Sequence, residues 1–153
     1  MRIANGCDER FPRTPRPWGA RSRTHHYEGE AEVGEAAALL RAHQRREVQV
    51  LILDVTLYEL GNTCLRSLRW SAEQTAGQLD DLVRLCGVPL SPLPRWRRDA
   101  AELAETRGVT YYDASYAAAA RGLGIALISA DRQLLQAQLA ESVTSFVKRL
   151  RLR

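Results

Sequence analysis

A chain of 153 residues, 45% hydrophobic and 26% charged, has the length of one domain and the composition of an ordinary globular protein, which excludes a second full domain and a disordered chain. Its most apolar runs, Val50-Leu51-Ile52-Leu53 and Ile125-Ala126-Leu127-Ile128, have strand length, so no membrane-spanning helix is expected and the chain reads as soluble. The net charge of +4 is concentrated in residues 1–24, where six arginines meet Asp8 and Glu9; residues 25–153 carry sixteen basic and sixteen acidic groups, so the basic excess belongs to a tail and not to the domain.

Residues 1–26 are rich in arginine and proline, show little apolar periodicity and are expected to form a flexible tail, leaving 27–153 as the domain. No apolar stretch follows the arginines, so a secretory signal is not expected. From about Glu30 the spacing of Val33, Ala36, Ala37, Leu40 and His43 predicts an amphipathic helix. Val48–Leu53 reads as a strand covered on both faces. Asp54 ends it and is placed to cap a helix with an apolar stripe through Leu57, Leu60/Gly61, Cys64 and Leu68, whose opposite side carries Glu59 and Asn62.

Ser71 and Gln74 have capping-box spacing and open a third helix, predicted to bury Ala72, Ala76, Leu79, Val83 and Cys86 and to stop at Gly87. After the proline-marked segment Val88–Pro94 a further helix runs to Arg107 and stops at Gly108. Tyr111-Tyr112-Asp113 leads into an alanine-rich helix over Ala114–Arg121, with Asp113 as its expected N-cap and Gly122 and Gly124 marking its end. Ile125–Ser129 predicts a buried strand with Asp131 just beyond its carboxyl end, and Val143–Val147 a last strand. Strands alternating with helices predict an α/β fold: a central, mostly parallel sheet flanked by helices on both faces, which binds ligands beyond the carboxyl ends of its strands.

Several chemistries are absent from the sequence. His25, His26 and His43 form no H-E-x-x-H pattern, and Cys7, Cys64 and Cys86 are odd in number, widely spaced and without a C-x-x-C pair, which reads as reduced thiols in a cytoplasmic protein rather than a zinc site. No nucleophile elbow or phosphate-binding glycine loop is present, and Gly122-x-Gly124 reads as a helix stop. Trp18, Trp70 and Trp96 at helix ends read as packing residues rather than base-stacking ones, and the closing Lys148-Arg149-Arg151-Arg153 run as a solvated basic tail.

Three acidic residues remain: Glu59 within a helix, Asp113 at a helix start and Asp131 after a strand. Carboxylates gathered at one place repel unless a cation neutralises them, and hard oxygen donors suit Mg²⁺ or Mn²⁺, which makes metal-assisted phosphodiester hydrolysis the matching chemistry. Taken singly, each also reads as a cap, a turn residue or a solvated helix position.

The wording around them resembles a known family. Leu57-Tyr58-Glu59-Leu60-Gly61-Asn62, then Thr110-Tyr111-Tyr112-Asp113-Ala114-Ser115-Tyr116, then Leu127-Ile128-Ser129-Ala130-Asp131-Arg132-Gln133-Leu134 resemble, in order and spacing, the PIN domains of VapC-type toxin ribonucleases over roughly residues 28–150. The resemblance implies a metal-dependent endoribonuclease, a toxin of a toxin–antitoxin pair, with Glu59, Asp113 and Asp131 as its catalytic and metal-holding carboxylates. Ser129, where the family often has Ser or Thr, and Asn62, one turn from Glu59, are weaker supporting candidates. It further implies an RNA substrate, an antitoxin partner and a homodimer. The family opens on a strand ending in an aspartate, and here the corresponding region is the Arg/Pro-rich tail. Leu53-Asp54-Val55-Thr56 imitates that motif but would leave Glu59 without a role; Asp8, after Ile3–Cys7, is the other candidate for a displaced version, against which stand its over-long spacing to Glu59 and Gly6, a poor strand residue. The departure supports two expectations: residues 1–26 are not the native start, or the chain is a degenerate PIN domain that binds RNA or protein without cutting.

Overall fold

Small residues at helical spacing draw the first helix onto the core. In the computed structural model, which describes residues 29–151 and the side chains of 34–151, α1 (Gly29–Gln44) buries Ala36, Leu39 and Ala42, with Ala37 and Leu40 half-buried. The buried line is thus rotated from the predicted one. The Arg/Pro-rich stretch, with Cys7, Asp8 and Trp18, and the side chain of Val33 lie outside the described residues. His43, near the end of α1, is structural. Its Nδ1 accepts the Val50 amide at 3.2 Å, and its Nε2 lies 2.8 Å from the Leu85 carbonyl and donates to it. This one imidazole joins the end of α1, the extended segment that follows and the last turn of the third helix.

Helix α2 (Asp54–Asn62) runs on into a π-helical turn, Thr63–Ser67. Leu53, not Asp54, takes the cap position and offers no side-chain bond. The Asp54 carboxylate instead accepts from the Val55 amide at 2.8 Å and the Ser91 hydroxyl at 3.1 Å. Helix α3 (Ala72–Cys86) begins as its capping box predicts: Ser71 Oγ accepts from the Gln74 amide at 3.1 Å and Gln74 Oε1 from the Ser71 amide at 2.9 Å. It ends at Gly87. Its inward face differs from expectation: Thr75 is buried, Leu79, Val83 and Cys86 are half-buried, and Ala72 and Ala76 face solvent.

Helices α4 (Pro94–Arg107) and α5 (Tyr111–Leu123) end at Gly108 and Gly124, both in the left-handed conformation that glycine adopts without strain. They pack closely because one partner lacks a side chain: a Cβ on Gly122 would run into the indole of Trp96 at Nε1. Trp96, Ala100 and Leu103 of α4 and Ala114, Tyr116 and Ala117 to Ala120 of α5 form one apolar cluster, which also takes in Leu53, Leu127 and Leu134.

The strands are short and parallel. β1 (Ile128–Ser129) pairs in parallel with β2 (Glu141–Ser142), and a single parallel bridge joins Leu53 to Leu90. Val48–Leu53 is buried at Val50, Ile52 and Leu53 as a covered strand requires, yet only Leu53 makes a ladder contact. Val143–Val147, read as a strand, is the start of α7 (Val143–Arg151), which follows the short α6 (Arg132–Gln136) and β2. Ser142 Oγ accepts the Ser145 amide at 3.2 Å at the start of that helix, and Val143 and Val147, four apart, turn inward together. The β-branched residues carried a strand propensity that this cap and spacing overrode.

The two parallel pairs are layered between helices. A second cluster (Ala36, Leu39, Val50, Ile128, Val143, Val147) puts α1 and α7 on one face, while α4 and α5 cover the other through Leu53 and Leu127. Among the described residues no hydrogen bond links the 48–53 segment to the 125–129 segment. The space between them opens, on the α1/α7 face, into a cavity of about 260 Å³ bordered by Leu39, Val50, Ala126, Ile128 and Phe146. On the α5 face Leu51, Leu53 and Ala126 border a smaller opening against Tyr116 and Ala119. This is an α/β fold of mostly helical content with parallel strand pairing. No described helix is long and apolar enough to cross a membrane.

Candidate active site

Of the acidic residues singled out in the sequence, Asp131 lies just past β1, while Glu59 and Asp113 lie within α2 and α5. Glu59 lies in the second turn of α2, half-buried, and its Oε2 accepts from the Tyr116 hydroxyl of α5 at 2.7 Å. The same hydroxyl stands 3.1 Å from Oγ1 of buried Thr56, one turn before Glu59. Tyr116 is itself fully buried, so a phenol rooted in the core fixes a carboxylate at its edge. Two strands of chain 57 residues apart meet at this bond.

Asp113 stands three residues before Tyr116 on α5, a spacing that puts both on one helix face. It is not the N-cap. Thr110 holds that position, its Oγ1 accepting the Asp113 amide at 3.1 Å and donating to Asp113 Oδ2 at 2.7 Å. The helix therefore starts earlier than predicted, and Asp113 is 5% exposed, a carboxylate drawn into the fold and held by a reciprocal cap. A buried carboxylate must be paired or hydrogen-bonded, and Thr110 supplies one of its partners.

Asp131 caps α6, with Oδ1 accepting the Gln133 amide at 2.8 Å and the Leu134 amide at 3.4 Å. Ser129, at the end of β1 and fully buried, turns its Oγ to the Asp131 amide at 3.0 Å. It thus orients the backbone that presents Asp131. Asn62 is exposed at the end of α2. The structure joins Glu59 to the helix that carries Asp113, and it places Asp131 at the start of α6, whose Leu134 packs into the same cluster as α5. Among the described residues, no group of three or more His, Cys, Asp or Glu side chains is placed to hold a metal ion.

Thr56, Thr110 and Tyr116 are the residues that sequence reasoning passed over. A signal for Tyr116 was present, since it lies at helical spacing from Asp113 in Tyr112-Asp113-Ala114-Ser115-Tyr116. Among the described residues the two thiols take no part: burial pushes the Cys64 thiol up, and pushes Cys86 up to about 11, which keeps both protonated near neutral pH.

A parallel α/β fold with acidic residues set at the ends of its strands and the starts of its helices defines a class, and comparison with known proteins specifies it. The PIN domain family matches residues 24–140, and the chain belongs to that family. It is 33% identical over 111 residues to Exonuclease VapC9 from Pyrobaculum aerophilum, a match covering 66% of this chain and 80% of that protein. Its fold is similar to the crystal structure of PAE2754 from Pyrobaculum aerophilum, with a TM-score of 0.60, 30% identity, and coverage of 80% of this chain and 91% of that one.

Proposed function

We propose that this chain is a metal-dependent ribonuclease that hydrolyses RNA phosphodiester bonds internally, the toxin half of a toxin–antitoxin pair, with Glu59, Asp113 and Asp131 as its acidic residues. The observation that carries the reading is the Glu59–Tyr116 bond of 2.7 Å, which holds a carboxylate of α2 against the helix that presents Asp113. Membership of the PIN family, and likeness to a protein named as a VapC-type exonuclease, support nuclease chemistry.

Each carboxylate has its own orienting group. Tyr116 sets Glu59, Thr110 sets Asp113, and the α6 amides hold Asp131 while Ser129 fixes its backbone. Fixed rotamers matter because a carboxylate that must be reorganised during the reaction loses part of its electrostatic effect. The proposed cofactor is Mg²⁺ or Mn²⁺, which when bound neutralises clustered carboxylates and orients water for attack on phosphorus. The described residues supply three carboxylates but not, as they stand, a group of three set to hold that ion. Partners in this reading are RNA, a protein antitoxin and a second copy of the chain, in the cytoplasm.

That last observation favours a second reading, a PIN domain that binds RNA or protein without cutting. Cleavage of labelled RNA with added Mg²⁺ or Mn²⁺ decides between them. Turnover by the native chain that is abolished in Asp113→Asn and Glu59→Gln supports the nuclease; turnover unchanged by either substitution removes the assigned site, and no turnover at all supports the binding module.

A further inference from the structure

The 48–53 and 125–129 segments each have one edge paired and one edge turned towards the other segment. The Leu90 amide donates to the Ile52 carbonyl at 2.9 Å, and the Leu90 carbonyl accepts the Asp54 amide at 3.0 Å, so Ile52 and Asp54 face Leu90. Successive strand residues point their N–H and C=O groups to alternate edges, which turns Leu51 and Leu53 the other way. On the second segment the Leu127 carbonyl accepts the Glu141 amide at 2.8 Å, so Leu127 faces β2 while Ala126 and Ile128 turn from it. Among the described residues no hydrogen bond joins the two segments, and Ala126 is exposed although Leu127 and Ile128 beside it are buried. Ile125 and Ala126 border the openings on both faces, which makes those openings the two sides of one slot. An extended chain placed in it pairs with both edges at once, which an apolar small molecule does not.

The slot is lopsided. Its α1/α7 side offers about 260 Å³, bordered by Leu39, Val50, Ile128 and Phe146, whereas its α5 side offers about 10 Å³ against Tyr116 and Ala119, room for about one water. A strand seated there must carry side chains of some bulk on one face and very small ones on the other. Within residues 1–28, which precede the described part of the chain, Ile3–Cys7 is the only five-residue run free of proline and of charged groups. Its alternation matches the slot: Ile3, Asn5 and Cys7 fall on one face, Ala4 and Gly6 on the other. Gly6, a poor residue for an ordinary strand, suits a face without room. Gln49 and Arg149 also border the roomy side and give Asn5 polar neighbours there. The residues from Asp8 to Glu28 extend to about 70 Å, roughly twice the width of a domain of this size, before the chain enters α1 at Gly29.

We infer that Ile3–Cys7 of this chain inserts as a strand between the 48–53 and 125–129 segments, pairing with Leu51 and Leu53 on one edge and with Ala126 and Ile128 on the other. Ala4 and Gly6 face α5, and Ile3, Asn5 and Cys7 fill the α1/α7 side. Nothing in this depends on the nuclease reading.

Amide hydrogen exchange of the full chain, read residue by residue by NMR, tests it. The Leu51, Leu53, Ala126 and Ile128 amides are expected to exchange slowly in the native chain and about a hundredfold faster in Ala4→Phe, whose ring has no place on the α5 side. Asn5→Phe puts the same ring on the roomy side and keeps the slow exchange. The Asp54 and Leu90 amides, already bonded, stay protected in all three chains and report that the fold persists. Backbone proton contacts from Ile3–Cys7 to both segments accompany the protection in the native chain, a measurement that needs no variant. Fast exchange of the four amides in the native chain, absence of those contacts, or equal exchange in native and Ala4→Phe chains overturns the inference. Loss of protection in both phenylalanine variants overturns it as well, as does protection that grows with protein concentration, which assigns the strand to a second copy.

Discussion

The phenol oxygen of Tyr116 lies 2.7 Å from the carboxylate of Glu59, and this contact couples the fully buried centre of α5 to an acidic residue on α2. Because the ring is enclosed on all sides, the hydroxyl has one place to be, and Glu59 inherits its position.

Tyr116→Phe is therefore expected to keep the fold while releasing Glu59. Deleting a hydrogen bond to a charged group, and leaving buried Thr56 short of a partner, costs roughly 1.5–3 kcal/mol in a urea melt. RNA cleavage should fall by a larger factor than this loss of stability explains, with folding verified by circular dichroism. Cleavage equal to the native rate would show that Glu59 needs no such anchor.

The close approach of α4 and α5 predicts the opposite pattern for Gly122→Ala. The added methyl meets the Trp96 indole, whose ring atom Cε2 would be 2.9 Å away, and overpacking of this kind costs roughly 1–3 kcal/mol. Combining it with Trp96→Phe should recover part of the loss, since the smaller ring vacates the contact. A double variant less stable than the sum of the two singles would contradict the geometry.

His43→Leu removes the one side chain that bridges three segments. The Val50 amide and the Leu85 carbonyl lose their side-chain partner, at about 1–3 kcal/mol each where water cannot enter. His43→Gln, which retains a donor and an acceptor, should cost less, and zinc chelators should have no effect on either variant's stability relative to the native chain.

Cys86 gives the alkaline limb of the stability curve. Burial raises its folded pKa from 9.0 to about 11, so the folded state holds the proton that an unfolded chain releases first. The contribution is complete below pH 9 and is lost as pH rises from about 9 to about 11. Urea midpoints measured across that window should decline more steeply for the native chain than for Cys86→Ala, and parallel curves would refute the assignment.

Local signals in the sequence were strong wherever one residue acts on its near neighbours. Ser71 and Gln74 specify the start of α3, Gly108 and Gly124 end α4 and α5, and Glu59, Asp113 and Asp131 stand in motifs whose order pointed to the PIN family that residues 24–140 then matched. Caps and left-handed stops depend on three or four consecutive residues, so they are legible without a fold. What only tertiary structure decided was everything set by a distant partner. Val143–Val147 became a helix that packs on α1, Asp113 was drawn into the core, and Tyr116 reached across 57 residues to Glu59. Burial and long-range hydrogen bonds are properties of what the fold brings near, and no window of sequence contains both ends of such a contact.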